Sequence, residues 1–209
     1  MPDPATQANA PAPLEFYFDF SSPYSYLASE KIDELAARFG RKVKWRPVLL
    51  GVIFKTTGAA PLTTVPLKGE YSKHDIARSA RYMGIPFVMP TKFPLATQGA
   101  ARAYYWLHGQ DCGKAREFAH AIFRALFVGN RDVSSPEVVL ELAGGLGIDT
   151  AACAAAMADE QYKQRLKDEV DAALKLGVFG APYIVCDGEP FMGADRLPQL
   201  ERWLTTGGF

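Results

Sequence analysis

Leu14-Glu15-Phe16-Tyr17-Phe18-Asp19-Phe20-Ser21-Ser22-Pro23 is the stretch on which the fold turns. Leu14, Phe16, Phe18 and Phe20 alternate with other residues, so they share one face of a strand, and aromatic side chains suit that pleated setting. Ser22 and Pro23 then change the chain's habit. A serine hydroxyl satisfies the free N–H groups of a starting helix, and proline at the first helical position has the right φ and no N–H to waste. Downstream, Ala28, Ile32, Leu35, Ala36 and Phe39 recur at helical spacing, and Gly40 stands where a helix ends. Val43 and Trp45 alternate with Lys44 and Arg46 in a second short strand. Strand, helix and strand in this order form a βαβ unit, which implies parallel pairing.

Outward from that unit, Gly51, Gly58, Pro61, Pro66 and Gly69 mark a loop. From about Ser72 the pattern is helical for a long stretch. Ile76, Ala80 and Met83 fit one helix, Ala101, Tyr104 and Tyr105 a second, and Phe118, Ala119, Ile122 and Leu126 a third. Val138, Val139 and Leu142 fit a fourth, and Leu166, Val170, Ala173 and Leu174 a long last one closed by Gly177. Tyr183 to Cys186 is a β-rich run, Asp187-Gly188 is a hairpin turn, and Glu189 to Met192 is the return strand. Leu197, Leu200, Trp203 and Leu204 close with a helix. The two ends read as one α/β core, residues 14–70 with 177–209, interrupted by an all-helical insertion over 71–176. Residues 1–13, rich in proline, alanine and polar side chains, read as a disordered lead without a signal-peptide pattern.

The 209 residues carry 23 basic and 23 acidic side chains. This balance argues against a nucleic-acid partner, and no apolar run is long enough to span a membrane. A cytoplasmic location is the resulting expectation. Cys112, Cys153 and Cys186 are far apart in sequence, so neither a redox dithiol nor a zinc knuckle is indicated. The three histidines, His74, His108 and His120, form no metal-ligand spacing, so no metal is expected.

Four stretches carry the candidate chemistry. Ser22 lies at the carboxyl end of the first core strand, where open α/β sheets place ligands, and a helix N-terminus there favours an anion such as a thiolate. Ser134-Ser135-Pro136-Glu137 repeats the same helix start elsewhere, so the motif alone is only a cap. Gly177-Val178-Phe179-Gly180-Ala181-Pro182 leads into a strand, the position a proline can occupy. In Gly193-Ala194-Asp195-Arg196-Leu197, Asp195 reads either as an N-cap or, with Arg196, as the partner of a zwitterionic ligand. Lys55, Thr64 and Lys68 stand in the loop after the second strand, where lysines are usually solvated.

Tyr17-Phe18-Asp19-Phe20 with Ser22-Pro23-Tyr24-Ser25-Tyr26-Leu27-Ala28 resembles the start of 2-hydroxychromene-2-carboxylate isomerases, relatives of the kappa-class glutathione transferases. Lys73-His74-Asp75-Ile76-Ala77-Arg78, Gly177 to Pro182 and Gly193 to Leu197 carry the likeness on to about residue 204. The resemblance implies a thioredoxin-like (DsbA-like) fold with a helical insertion, a homodimer, glutathione as cofactor and a small aromatic substrate. It implies that Ser22 holds the glutathione sulfur and that Pro182 is cis, which leaves the Ala181 backbone to pair with the cysteinyl part. Asp195 and Arg196 would take the γ-glutamyl end, Thr64 and Lys68 further glutathione contacts, and Lys55 the substrate carboxylate. The chain departs from the isomerases at Thr64, where they often carry asparagine.

The implied reaction opens a cyclic hemiketal and turns a cis enone to trans, ending in a trans-o-hydroxybenzylidenepyruvate-type product. A thiolate can add to the conjugated carbon, allow rotation and leave. Because glutathione brings the sulfur, no cysteine pair is needed. Kappa-type transferase or peroxidase activity on the same site is the nearest rival, and a non-catalytic thioredoxin-like binding module is the second. Disulfide oxidoreductase activity is disfavoured by Ser22 standing without a cysteine pair.

Overall fold

A computed structural model describes residues 11–209, so most of the expected N-terminal lead lies outside the described residues. Strand β1 (Leu14–Phe18) is followed by helix α1 (Pro23–Arg38) and strand β2 (Val43–Pro47). β1 and β2 pair in parallel, with Phe16 opposite Trp45. Strand β3 (Tyr183–Cys186) pairs antiparallel with β1, and β4 (Glu189–Met192) pairs antiparallel with β3. The sheet order is therefore β2-β1-β3-β4. The hairpin turn works as its sequence requires, with Asp187 and Gly188 both at positive φ.

Between β2 and β3 run helices α2 (Leu50–Thr57), α3 (Lys68–Met83), α4 (Gln98–His108), α5 (Cys112–Phe127), α6 (Pro136–Gly145), α7 (Thr150–Ala158) and α8 (Glu160–Leu176), and α9 (Leu197–Thr206) closes the chain. Gly177 ends α8 in the left-handed conformation. The helical insertion covers the sheet with aromatic side chains. Phe18 meets Trp45, Tyr104 and Phe123 at centroid distances of 5.4, 6.0 and 5.5 Å. Leu14, Phe16, Phe18 and Phe20 are all buried, as the alternation requires, and each such side chain stabilises the fold by about 1.5–3 kcal/mol. Arg46 ties α8 to the sheet, bonding Glu169 at 2.8 Å and Glu15 at 2.9 Å.

Three local expectations are corrected. The stretch from Leu50 to Thr57 is helix α2, not loop, and α3 begins at Lys68, four residues before Ser72. Helix α7 has no counterpart among the expected helices, because its alanine-rich sequence shows no amphipathic stripe. Asp195 does not cap the last helix: it sits inside a 3-10 turn, Ala194–Arg196, whose cap position is Gly193 at φ +109. Only glycine takes that backbone without strain.

Candidate functional site

The turn between β1 and α1 is built by its own side chains. Ser22 has extended backbone, and its Oγ accepts the Ser25 N–H at 3.1 Å, the bond of an N-cap. Its hydroxyl proton goes elsewhere, to the Ala181 carbonyl at 3.0 Å, 159 residues away. The Ala181–Pro182 bond is cis, as the resemblance implies. Ala181 is buried, and its N–H has no hydrogen-bond partner among the described residues. A polar group in that state wants a ligand or water. The Tyr24 N–H, in the first turn of α1, also has no such partner, so one free donor adds to the positive end of the helix there.

Beside this turn lies a cavity of about 1180 Å³, larger than the usual space for one small ligand. Ser22, Ala181, Pro182, Asp195 and Arg196 all line it. Asp195 and Arg196 face solvent and sit 3.5 Å apart, a loose pair whose charges remain open to a ligand. The apolar wall includes Phe54 from α2, Leu62, Met83, Phe93 and Phe179. Tyr24 donates its hydroxyl to Asp75 at 2.7 Å, and both residues line the cavity. Burial, then this bond, raises the Tyr24 phenol above its ordinary range, so it remains a neutral donor.

Lys55, Thr64 and Lys68 are not among the lining residues. Lys55 is exposed on α2 beside Phe54, and Thr64 turns its hydroxyl back onto the Pro61 carbonyl at 2.8 Å. Pro61, Leu62 and Thr63 line the cavity from this stretch, and the buried Thr63 Oγ1 has no partner among the described residues. Gly69 permits that turn, since a Cβ there would lie 2.6 Å from the Thr63 carbonyl oxygen. No periodicity in the sequence separates Thr63 from Thr64.

Asp19, to which the sequence motif assigns no chemistry, lies at the base of the site. Burial pushes its carboxyl up, opposed by donors from Ser21, Leu50 and Thr97. Two of the three cysteines are held back from chemistry. Cys153 and Cys186 are buried, and burial raises both thiols to about 11.

Residues 13–205 match the model of the DSBA-like thioredoxin domain, and the chain belongs to that family. Within it, the chain is similar to glutathione S-transferase kappa 1 of Rattus norvegicus, with 28% identity over 93% of this chain and 94% of that protein. It is equally similar to the 2-hydroxychromene-2-carboxylate isomerase of Sphingobium xenophagum, with 29% identity over 91% of this chain and 97% of that one. A solved 2-hydroxychromene-2-carboxylate isomerase superposes with a TM-score of 0.84 at 25% identity, covering 92% of this chain and 94% of that structure. These relatives are enzymes.

Proposed function

We propose that the chain is a glutathione-dependent isomerase acting on small aromatic carboxylates of the 2-hydroxychromene-2-carboxylate type, as a cytoplasmic homodimer. The observation that carries the reading is the contact between the Ser22 hydroxyl and the Ala181 backbone within one cavity that also holds Asp195 and Arg196. The residues fit the tripeptide. The Ala181 N–H, before the cis bond to Pro182 and without a partner among the described residues, is a free backbone donor for a peptide. Asp195 and Arg196 offer opposite charges to the ammonium and carboxylate of an amino-acid end.

When bound, glutathione supplies a thiol that, once ionised, adds reversibly to a conjugated carbon. A free thiol has a pKa near 8.5 and is mostly protonated at neutral pH, and a helix N-terminus with a hydroxyl donor lowers it. Ser22 has one proton to give, and in this structure the Ala181 carbonyl holds it. To serve a sulfur, the hydroxyl must turn from that carbonyl, which then needs another donor. A peptide N–H laid against Ala181 is such a donor, so binding the peptide and freeing the hydroxyl are one event. The side chain of Lys55, next to Phe54, is proposed to meet the substrate carboxylate. Thr63, which lines the cavity and whose hydroxyl has no partner among the described residues, is the donor proposed from this stretch in place of Thr64 and Lys68.

Glutathione titration is the test. Binding to the folded state alone raises the thermal midpoint, by an equivalent of about 2.7 kcal/mol at a hundredfold excess over Kd. No shift at millimolar glutathione refutes the reading. Turnover of a hydroxychromene carboxylate then separates the isomerase from a kappa-type transferase, which would conjugate or reduce its substrate instead.

A further inference from the structure

Asp19 is a buried carboxylate that the proposed chemistry does not use. It is 4% exposed, and its hydrogen-bond partners among the described residues are three neutral donors. Ser21 N–H and Thr97 Oγ1 donate to Oδ1 at 2.8 and 2.9 Å, and Leu50 N–H donates to Oδ2 at 2.7 Å. Burying a charge with no opposite charge beside it is costly unless hydrogen bonds answer it. The three donors belong to three different segments. Ser21 is in the Ser22 turn. Leu50 is the first residue of α2, a helix with no side-chain cap, so Asp19 satisfies its leading N–H. Thr97 ends the segment that carries Phe93 and Pro94, and Ser21 Oγ binds the same segment by accepting the Leu95 N–H at 3.0 Å. Phe54 of α2 and Phe93 both line the cavity.

We propose that Asp19 is the positioning residue of this cavity, holding the Phe54 and Phe93 walls in register with the Ser22 turn so that an aromatic co-substrate fits beside the thiol. Assigning those walls to the co-substrate rests on the function proposed above; the junction of three segments on one carboxylate does not. Both oxygens of Asp19 are committed as acceptors. Asparagine keeps the shape but must present its amide N–H₂ to one side, and so detaches one wall.

The test uses the full chain with two probes, 8-anilinonaphthalene-1-sulfonate for the aromatic walls and glutathione for the rest of the site. Asp19→Asn is expected to weaken binding of the aromatic probe about tenfold, the equivalent of one lost hydrogen bond to a charged group, while glutathione affinity stays at the wild-type level. Thr97→Val removes one donor from a residue that does not line the cavity and makes no capping bond. It is expected to shift the same probe in the same direction by about threefold. In turnover, the result is a raised KM for the aromatic substrate with glutathione affinity unchanged. Unchanged or tighter probe binding by Asp19→Asn overturns the proposal. So do losses for both probes that follow the fall in Tm, and so does a wild-type protein that does not bind the aromatic probe. Should Asp19→Asn fail to fold, Thr97→Val decides on the same criteria. If the wild type binds the aromatic probe but no glutathione, the proposed function fails while the probe arm still decides the role of Asp19.

Discussion

Asp19-Phe20-Ser21-Ser22-Pro23 and Asp132-Val133-Ser134-Ser135-Pro136 build the same turn twice. In each, the aspartate accepts the N–H of the first serine, at 2.8 Å from Ser21 and 3.0 Å from Ser134. In each, the second serine donates its N–H to the aspartate carbonyl, at 2.9 and 3.2 Å, and caps a helix that starts with proline. The surroundings differ. Ser22 gives its hydroxyl proton to Ala181 across the molecule, whereas Ser135 gives its own to Glu137, two residues on. Asp19 is buried with no charged partner among the described residues, whereas Asp132 is paired with Lys92 at 2.6 Å near the surface. Local sequence therefore fixes the backbone of the turn, and long-range contact decides whether it is a cap or a candidate site.

The largest difference between the two turns is expected in stability. Asp19→Ala strands three donors in the interior, each worth about 1–3 kcal/mol, so the loss should reach about 3 kcal/mol or more. Asp132→Ala removes a solvent-exposed ion pair with Lys92 and two turn hydrogen bonds from Ser134 near the surface, and exposed pairs contribute little. Urea denaturation of both variants measures this, with the midpoint moving at constant m. Equal shifts would mean that both aspartates act only through the local turn.

Activity gives the next largest effect. Ser22→Ala removes the proposed donor to the sulfur, a hydrogen bond to a charged group worth about 1.5–3 kcal/mol, so turnover near neutral pH should fall roughly 10- to 100-fold. Ser135→Ala deletes a matching cap, at a similar cost of about 1 kcal/mol in stability, far from the cavity. Its turnover should match the wild type. The measurement is kcat with glutathione saturating for both variants. If Ser22→Ala loses no more than Ser135→Ala, Ser22 is a cap and nothing else.

The pair of turns also shows what could be read from the sequence. Strands, the Ser-Pro helix starts and the Asp187-Gly188 hairpin were legible because each depends on neighbours within four residues. The DsbA-like fold with its helical insertion followed from ordered motifs at both ends of the chain, and the family match bears it out. Helix α2 was not legible. Gly51 within it and Gly58 at its C-cap suggest a loop, and its leading N–H is satisfied by Asp19, 31 residues earlier. Helix α7 is mostly alanine, so periodicity carries no signal, and only the Asp149 cap marks its start. The Ser22 helix start was legible from its own motif, whereas the cis bond before Pro182 was implied only by the family resemblance. Thr63 could not be told from Thr64, because a single 3-10 turn, Leu62–Thr64, is too short to show which hydroxyl is buried.

Acidity offers the smallest effect and the cleanest opposition between the turns. Unfolded, both aspartates titrate near pH 3.9. Burial raises Asp19 in the folded protein. Between that unfolded value and its folded one, the native state therefore holds a proton that the unfolded chain has released. The stability linked to Asp19 is full below about pH 4 and declines as pH rises through the window. Asp132 runs the other way. Hydrogen bonds from Lys92 and then Ser134 bring it down to about 2. Its contribution is present above about pH 4 and is lost as pH falls through the folded value. Urea midpoints for wild type, Asp19→Asn and Asp132→Asn from about pH 2 to pH 6 separate the two. Asp132→Asn should lose part of the acid-side decline. Asp19→Asn should gain on the wild type as pH rises above about 4. The Asp132 effect should shrink in about 0.5 M salt, because exposed pairs are screened, and the Asp19 effect should persist. Shifts of the same sign in both variants would mean that the shared turn, and not burial, sets the acidity of its aspartate, and the contrast between a cap and a site would then have to rest on Ser22 alone.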